Sequence, residues 1–240
     1  MDTEPDTEPG LEVLVGRARR FCSPGATERT ILGICGPPGS GKSTLAGRLL
    51  DRLRADPPDT GGPGWVAYVP MDGFHLADVQ LERLGLRGRK GAPETFDADG
   101  YLALLQRIRT NIDRTVYAPG FERDLEQPIA AAIVVPPEAR LVLTEGNYLL
   151  LDEDPWTAAR ALLDEVWYVD VDHDLRIARL IARHIAHGKA ANVAREWVLR
   201  SDEVNARLVE DRQGTADLVI HLHPVPHSVS HPAPRASEQG

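Results

Sequence analysis

Apolar and polar positions along the chain follow two different periods, which predicts an α/β fold. Short apolar and β-branched runs that predict buried strands occur at 30–36 (TILGICG), 65–69 (WVAYV), 140–146 (RLVLTEG), 166–172 (VWYVDVD) and 216–222 (ADLVIHL). Apolar residues recur at helical spacing in 11–21, 42–54, 101–108 and about 173–186. Because apolar strands separated by amphipathic helices form parallel sheets covered on both faces, we predict three layers, with ligands at the carboxyl ends of the strands.

Composition and charge narrow the class of protein. With 42% hydrophobic and 26% charged residues, the 240-residue chain has the composition of a soluble globular protein. Its net charge of −9 disfavours broad nucleic-acid binding, and no apolar run approaches the roughly 18 residues that a membrane span needs. The two cysteines form no CxxC pair, which suits a reducing compartment. We therefore predict a cytoplasmic protein that binds neither nucleic acid nor membrane, with a homodimer left open as its assembly.

Both ends of the chain have the composition of unpacked tails. Residues 1–10 are acidic and contain a tandem DTEP repeat, and residues 224–240 are rich in Pro, Ser and His. We predict that both are disordered and that 11–223 forms one domain. His221 and His223 precede the second tail, but the histidine spacing there matches no closed set of metal ligands.

A phosphate-binding loop is predicted directly after the first strand. GPPGSGKS (36–43) matches the pattern GxxxxGK[ST] in full and lies between a predicted strand and a predicted helix, as that pattern requires. Its glycines allow backbone N–H groups to face phosphate oxygens, and the helix adds its N-terminal dipole. Lys42 is expected to reach the β- and γ-phosphates, and the Ser43 hydroxyl to bind Mg²⁺. The predicted ATP-binding residues here are Gly36, Pro37, Pro38, Gly39, Ser40, Gly41, Lys42, Ser43 and Thr44.

Two carboxylates follow predicted strands at the same edge of the sheet. Asp72 stands in YVPMDGFH, just after the strand WVAYV, and Glu145 follows LVLT where a Walker-B acid would sit. Asp-Gly alone is ordinary turn chemistry, but at this edge a carboxylate can accept or orient a hydroxyl proton. We predict that Asp72 is an acid/base group and that Glu145 holds Mg²⁺ directly or through water.

A stripe of arginines on the helix predicted from about 173 has two interpretations. Arg176, Arg179 and Arg183 share one face, and Ile177, Ile181 and Ile185 the other. The stripe is either a solvated surface or part of a lid over the transferring phosphoryl, and it leads into HIAHGK (184–189). We predict that residues from about 179 to 195 form this lid. Within it, we predict that Arg183 is a catalytic residue and that Arg179 binds ATP.

Motifs that the sequence lacks disfavour some classes of nucleotide-binding protein. The chain has no guanine-reading NKxD segment and no LSGGQ-like signature, which disfavours a GTPase and a transporter ATPase. An ATP-dependent kinase of a small-metabolite hydroxyl is the leading hypothesis, and a regulatory ATPase without a small acceptor is the alternative. The intact set Lys42, Ser43, Asp72 and Glu145 argues against a third possibility, a degenerate nucleotide-binding scaffold.

Further segments resemble a known family from about residue 30 to 220. MDGFH, LERLGLRGRKGAPETFD (81–97) and TEGNYLL (144–150) are similar to the phosphoribulokinase/uridine kinase/pantothenate kinase group of P-loop kinases. They are especially similar to type I pantothenate kinases and to bacterial nucleoside/nucleotide kinase-like relatives, some described as sugar-transport-associated kinases. The resemblance implies a three-layer P-loop kinase fold with a small helical lid, and ATP with Mg²⁺.

The same resemblance assigns roles to particular residues. Asp72 matches the catalytic aspartate of the family, Glu145 the acid of its EG motif, and Arg179 and Arg183 its lid region. VYAPGFERD (116–124) matches the segment that closes over the acceptor. However, the phosphate loop differs from that of pantothenate kinases, and the segment after Asp72 differs from that of uridine kinases.

The identity of the acceptor therefore stays open between pantothenate, nucleosides and sugars. A basic run at 87–90 in an otherwise acidic protein favours an acceptor that carries a carboxylate or phosphate. His75 could equally be a packed polar residue after the turn. The predicted acceptor-binding residues are Asp72, His75, Arg89, Lys90, Tyr117, Arg123, Asn147 and Tyr148.

Overall fold

The computed structural model describes residues 8–21, 28–58 and 62–222. The strands are β1 (Thr30–Cys35), β2 (Val66–Pro70), β3 (Val116–Glu122), β4 (Gln127–Val135), β5 (Leu141–Gly146), β6 (Glu165–Val171) and β7 (Leu218–Leu222). The α-helices are α1 (Glu8–Arg19), α2 (Lys42–Ala55), α3 (Asp78–Leu84), α4 (Ala98–Thr110), α5 (Trp156–Arg160), α6 (His173–Ala186), α7 (Ala191–Trp197) and α8 (Glu203–Glu210).

Five parallel strands form the central sheet in the order β2-β5-β1-β6-β7. Apolar residues on α1 and α2 cover one face of this sheet, together with inward-facing residues such as Leu32 and Ile34 of β1. The other face packs against α4, α5 and the base of the β3–β4 hairpin, with Ile31 and Cys35 of β1 on that side. Because the central strands β1 and β5 are buried on both faces, their residues are apolar almost throughout, as in other parallel sheets.

Strand register positions the polar groups at the carboxyl edge of the sheet. Glu145 near the end of β5 lies opposite Ile34 of β1 on one side and Pro70 of β2 on the other. The loop after β1 and the turn after β2 therefore flank the same carboxylate. This is the edge where parallel α/β sheets bind their ligands.

The predicted α/β architecture is confirmed, and all five predicted strands form the sheet. The first helix begins at Glu8, three residues earlier than predicted, and Trp65 lies in a 3-10 turn before β2. The β3–β4 hairpin and helices α3, α5, α7 and α8 were not predicted. None of the described helices has the length and apolar content to cross a membrane.

Two predictions about the ends of the chain fall largely outside the described residues. Residues 1–7 and 223–240, which include His223, are not among the residues that the structure describes. His221 is described, and its Nδ1 lies 2.9 Å from Oδ2 of Asp170. Within 8–21, 28–58 and 62–222, no three His, Cys, Asp or Glu side chains are grouped as metal ligands would be.

Candidate active site

The loop at 36–43 joins β1 to α2, which begins at Lys42. Gly39 has a φ of 81°, and a Cβ there would lie 2.7 Å from Cγ of Leu180 in α6. A larger residue would therefore be both strained and crowded against that helix. The apex of the loop thus packs directly on α6, which carries the arginine stripe.

Glu145 joins the loop to the sheet through hydrogen bonds to one of its oxygens. The hydroxyls of Ser43 and Tyr68 both donate to Oε1 of Glu145, at 3.0 Å each. Burial raises the pKa of the Glu145 carboxyl, and the nearby charge of Lys42 opposes that shift. Burial also raises the pKa of Tyr68, so its hydroxyl stays protonated and remains a donor.

Asp72 lies in a single 3-10 turn, Met71–Phe74, that directly follows β2. Nη2 of Arg123, near the tip of the β3–β4 hairpin, donates to Oδ2 of Asp72 at 2.8 Å. The hairpin backbone also closes on the next residue, since a Cβ at Gly73 would lie 2.3 Å from the carbonyl oxygen of Pro119. The glycine of the Asp-Gly pair is thus required by this close approach and not only by the turn.

His75 is fixed between aromatic rings next to the carboxylate. Its ring centroid lies 4.0 Å from that of Phe96 and 5.0 Å from that of Phe121, and Nδ1 donates to the Asp72 carbonyl at 2.9 Å. Burial lowers the pKa of the imidazole, which favours its neutral form with Nε2 unprotonated. Nζ of Lys90 lies over the ring of Phe121, 5.7 Å from its centroid.

One cavity of about 190 Å³ connects the phosphate loop to Asp72. Nine of the residues predicted from sequence border it: Pro38, Lys42, Ser43, Asp72, His75, Lys90, Arg123, Asn147 and Arg183. Oδ1 of Asn147 is buried without a hydrogen-bond partner among the described residues, so it could accept from a bound hydroxyl. The arrangement brings a phosphate cradle and a carboxylate to the same cavity, as transfer between two ligands requires.

Three predicted acceptor-binding residues lie elsewhere. Arg89 pairs with Glu94 at 2.7 Å on the outside of its turn and borders a different cavity. Tyr117 is 55% exposed on the outer face of the hairpin. Tyr148 is buried among Phe96 and Trp156, and its hydroxyl donates to the carbonyl of Gly91, so it supports the 88–92 loop from below.

The three arginines of α6 separate into different environments. Arg176 is 1% exposed and pairs with Glu203 of α8 at 2.5 Å, so it is neither a solvated residue nor a ligand-facing one. Arg179 is exposed and borders a cavity of about 230 Å³ with Gly41 and Thr44 of the phosphate loop. Arg183 is exposed and borders the Asp72 cavity. The sequence predicted one arginine face and one isoleucine face for this helix. Burial does not follow that division, because Arg176 is buried and Ile185 is 43% exposed.

Several residues of the cavity were not predicted as site residues. Phe121, Glu126, His184, Lys189, Trp197, Asp202 and Asn205 also border it. His184 and Lys189 belong to the HIAHGK segment that was predicted as a lid, and Phe121 is two positions from Arg123. No signal in the sequence identified Trp197, Asp202 and Asn205 as site residues. They come from α7, from the π turn Val198–Asp202 and from α8, respectively.

The parallel sheet, the phosphate loop and the carboxylate beside it define the class of P-loop kinases that act on small molecules. The family model described as "Phosphoribulokinase / Uridine kinase family" matches residues 31–227. The chain therefore belongs to the phosphoribulokinase/uridine kinase family.

Individual relatives match this chain over most of their length. A Schizosaccharomyces pombe protein named "Putative uridine kinase C227.14" is 37% identical over 199 residues, which cover 80% of this chain and 83% of that protein. The structure of a "putative fructose transport system kinase" from Silicibacter sp. TM1040 is 36% identical, with a TM-score of 0.77 over 87% of this chain and 98% of that one. A protein of Escherichia coli named YggC is 33% identical over 81% of this chain and 78% of its own length. The protein is thus an ATP-dependent phosphotransferase with a small-molecule alcohol as acceptor.

Proposed function

We propose that this cavity is where the γ-phosphoryl group of ATP is transferred to a metabolite hydroxyl oriented by Asp72. The observation that carries the proposal is the shared lining of the cavity, which Lys42 and Ser43 border from the phosphate loop and Asp72 from the turn after β2. A hydroxyl bound there lies between the carboxylate and the phosphates. Proximity to both groups supports in-line attack, the geometry that phosphoryl transfer requires.

The transfer itself needs one proton acceptor. The hydroxyl oxygen of the acceptor forms a bond to the γ-phosphorus while the bond from that phosphorus to the bridging oxygen of ADP breaks. The hydroxyl proton passes to Asp72, and ADP leaves with the electron pair of the broken bond. Lys42 and Arg183 border the same space and neutralise charge on the phosphate oxygens.

Ser43 and Glu145 fit the requirements of a Mg²⁺ site. Their oxygens are 3.0 Å apart at the phosphate loop, and hydroxyl and carboxylate oxygens are the ligands that Mg²⁺ accepts alongside phosphates and water. When bound with ATP, the ion would neutralise charge on the β- and γ-oxygens. The raised pKa of Glu145 means that loading the site releases a proton wherever the carboxyl is still protonated.

Glu145→Gln is expected to raise the Mg²⁺ concentration needed for half-maximal activity by about 10–100-fold, the usual cost of removing a supporting metal partner. Glutamine keeps an oxygen that accepts from Ser43 and Tyr68, so the fold should be preserved. The measurement is a Mg²⁺ titration at saturating ATP. Glu153→Gln, an exposed position after β5, is the matched control. An unchanged Mg²⁺ requirement in Glu145→Gln would remove this carboxylate from the metal site.

The acceptor is best sought by its effect on ADP release. Because a kinase excludes water from the transferring group, hydrolysis without acceptor should be slow, and the true acceptor should accelerate ADP release sharply. A coupled ADP assay with ATP and Mg²⁺ would compare pantothenate, ribo- and deoxyribonucleosides, free hexoses and sugar phosphates. The names of the relatives point to uridine for one and to a sugar for another.

The same assay contains the result that contradicts the proposal. If no metabolite accelerates ADP release but a protein partner does, the protein is a regulatory ATPase and not a metabolite kinase. Asp72→Asn serves as the control for transfer, because acceleration that survives this substitution does not come from the proposed site.

A further inference from the structure

The tip of the β3–β4 hairpin borders the Asp72 cavity without being held there by apolar burial. Residues 123–126 form the turn at this tip, and all four are exposed. Arg123 and Glu126 nevertheless border the cavity, together with Phe121 of β3. A two-stranded hairpin alone is only marginally stable in water. The position of the tip therefore depends on its contacts with the rest of the protein.

Lys90 connects this tip to the start of α3. Its Nζ donates to the backbone carbonyl of Glu126 at 2.6 Å and to Oδ1 of Asp78 at 2.8 Å. The same ammonium group lies over the ring of Phe121, 5.7 Å from its centroid, where a cation is attracted by the ring face. The side chain of Lys90 is only 19% exposed. Its charge is therefore engaged by groups of the protein itself.

Asp78 contacts the hairpin a second time. Its backbone N–H donates to Oε1 of Gln127, the first residue of β4, at 3.1 Å. Burial acts to raise the pKa of the Asp78 carboxyl, but the hydrogen bond and the charge of Lys90, together with Arg87, outweigh burial and lower it. The carboxylate thus stays ionised and fixes the lysine that the hairpin needs.

The backbone of Glu126 has a conformation that requires support. Its φ is 52°, in the left-handed region that residues with a side chain adopt infrequently. Such a conformation persists where the surroundings fix it. The carbonyl of this residue accepts from Lys90, and a hydrogen bond from a charged donor is stronger than one between neutral groups. The lysine therefore stabilises the turn in the conformation that closes the tip.

We propose that Lys90 is a positioning residue that fixes the hairpin tip to the start of α3. Asp78 anchors the lysine, and the Glu126 carbonyl is the group that the lysine holds. Lys90 acts on the cavity through the hairpin and not by contact with a bound molecule. The two other cations of the basic run, Arg87 and Arg89, also pair with carboxylates, at 2.9 Å and 2.7 Å.

The position of the tip matters because the tip carries Arg123. Nη2 of Arg123 donates to Oδ2 of Asp72 at 2.8 Å, and its guanidinium lies 5.3 Å from the centroid of Phe121. A tip that moves takes this ion pair and one wall of the cavity with it. The consequence for transfer rests on the proposed function, whereas the fixing of the tip by Lys90 does not.

Hydrogen–deuterium exchange followed by NMR tests the inference without ATP or acceptor. Lys90→Met keeps the apolar stem of the side chain and removes the ammonium group. We expect the Asp78 amide, which donates to Gln127, and the ladder amides next to the tip to exchange about 10–100-fold faster, the factor by which one hydrogen bond to a charged group shifts an opening equilibrium. The amides of β1 and β5 should exchange as in wild type.

The matched control is Arg87→Met, which removes another cation of the same basic run. Arg87 lies 3.1 Å from the same Asp78 carboxylate, but its ion pairs within the described residues are with Asp78 and Glu82 and not with the hairpin. Exchange at the tip should stay at the wild-type rate. Asp78→Asn removes the anchor of Lys90 and should accelerate exchange at the tip less than Lys90→Met. It should add little to Lys90→Met in the double variant, because the two residues act as a unit.

Two results of the exchange experiment would overturn the inference. One is wild-type exchange of the Asp78 amide and of the ladder next to the tip in Lys90→Met. The other is equal acceleration in β1 and β5, which would make Lys90 a residue of general stability. If Lys90→Met does not fold, Asp78→Asn decides by the same measurement, and unchanged exchange at the tip in that variant would contradict the proposed anchor.

Kinetics separate the inference from the proposed function. With the acceptor that the ADP assay identifies, Lys90→Met should raise KM for the acceptor about tenfold and change kcat less, since it loosens a wall of the cavity. Lys90→Arg keeps a cation within reach of both oxygens and should restore KM and exchange together. A raised KM in Lys90→Arg with wild-type exchange would assign Lys90 to direct contact with the acceptor and overturn the inference. If no compound accelerates ADP release, the proposed function fails, and exchange still decides the role of Lys90.

Discussion

Lys42→Ala is expected to abolish phosphoryl transfer while the protein remains folded. Lys42 borders the cavity that contains Asp72 and begins α2 at the phosphate loop. Its ammonium group neutralises charge that builds on the β- and γ-oxygens in the transition state. We expect a loss of more than about 10³-fold in kcat, the scale on which cations aimed at a transferring phosphoryl group act.

Arg54→Ala provides the control for Lys42→Ala, because it removes an exposed cation from the last turn of the same helix. The activity assay is accompanied by circular dichroism and by the thermal midpoint, which should stay close to wild type in both variants. A second readout follows from the pKa of Glu145, which burial raises and the charge of Lys42 partly lowers again. Removal of the lysine should raise this pKa further. Wild-type ATP turnover by folded Lys42→Ala would contradict the assignment of the phosphate loop.

Elements with strong local signals were predictable from the sequence. The strands of the central sheet are nearly all apolar because both of their faces are buried, and the phosphate loop has a pattern of its own. Asp72 and Glu145 could be placed at one edge without coordinates, since Asp72 follows β2 and Glu145 lies near the carboxyl end of β5 in a parallel sheet. Their neighbours in space could not, because Arg123 reaches Asp72 from a hairpin about 50 positions further along the chain.

The location of Tyr117 illustrates why side-chain direction was harder to predict. In a regular strand, Tyr117 and Phe121 are four positions apart and face the same side. The register of the β3–β4 pair shifts between Ala118 and Gly120, so the alternation changes within the strand. As a result, Tyr117 is exposed, whereas Phe121 faces the cavity. The sequence VYAPGFERD does not predict the position of such a bulge.

Burial of a charge was equally unpredictable from spacing alone. Arg176, Arg179 and Arg183 are equivalent in a helical projection, but Arg176 alone is buried. The difference comes from Glu203, which lies 27 positions away on a helix that the sequence did not reveal. A buried guanidinium needs such a partner, so the identity of the partner determines which arginine is structural.

Asp72→Asn is expected to preserve ATP affinity and to lower kcat by roughly 10²–10⁴-fold, the usual contribution of a positioned acid/base group. This corresponds to about 3–5 kcal/mol of lost transition-state stabilisation. Asparagine has nearly the same shape but cannot take up the hydroxyl proton. Nucleotide binding should be unaffected, because Asp72 belongs to the turn after β2 and not to the phosphate loop. Single-turnover kinetics and ATP binding by calorimetry would measure the two quantities separately.

The ion pair with Arg123 supplies the control for Asp72→Asn, since this substitution also removes a 2.8 Å contact between the hairpin and the turn after β2. Arg123→Gln breaks the same contact and keeps the carboxylate. If the lost contact were the cause, both variants would show the same fall in kcat. If Asp72 is the proton acceptor, Asp72→Asn lowers kcat at saturating acceptor, whereas Arg123→Gln acts mainly by raising KM for the acceptor. Equal falls in kcat, or loss of ATP binding in Asp72→Asn, would assign Asp72 to positioning the hairpin and not to proton transfer.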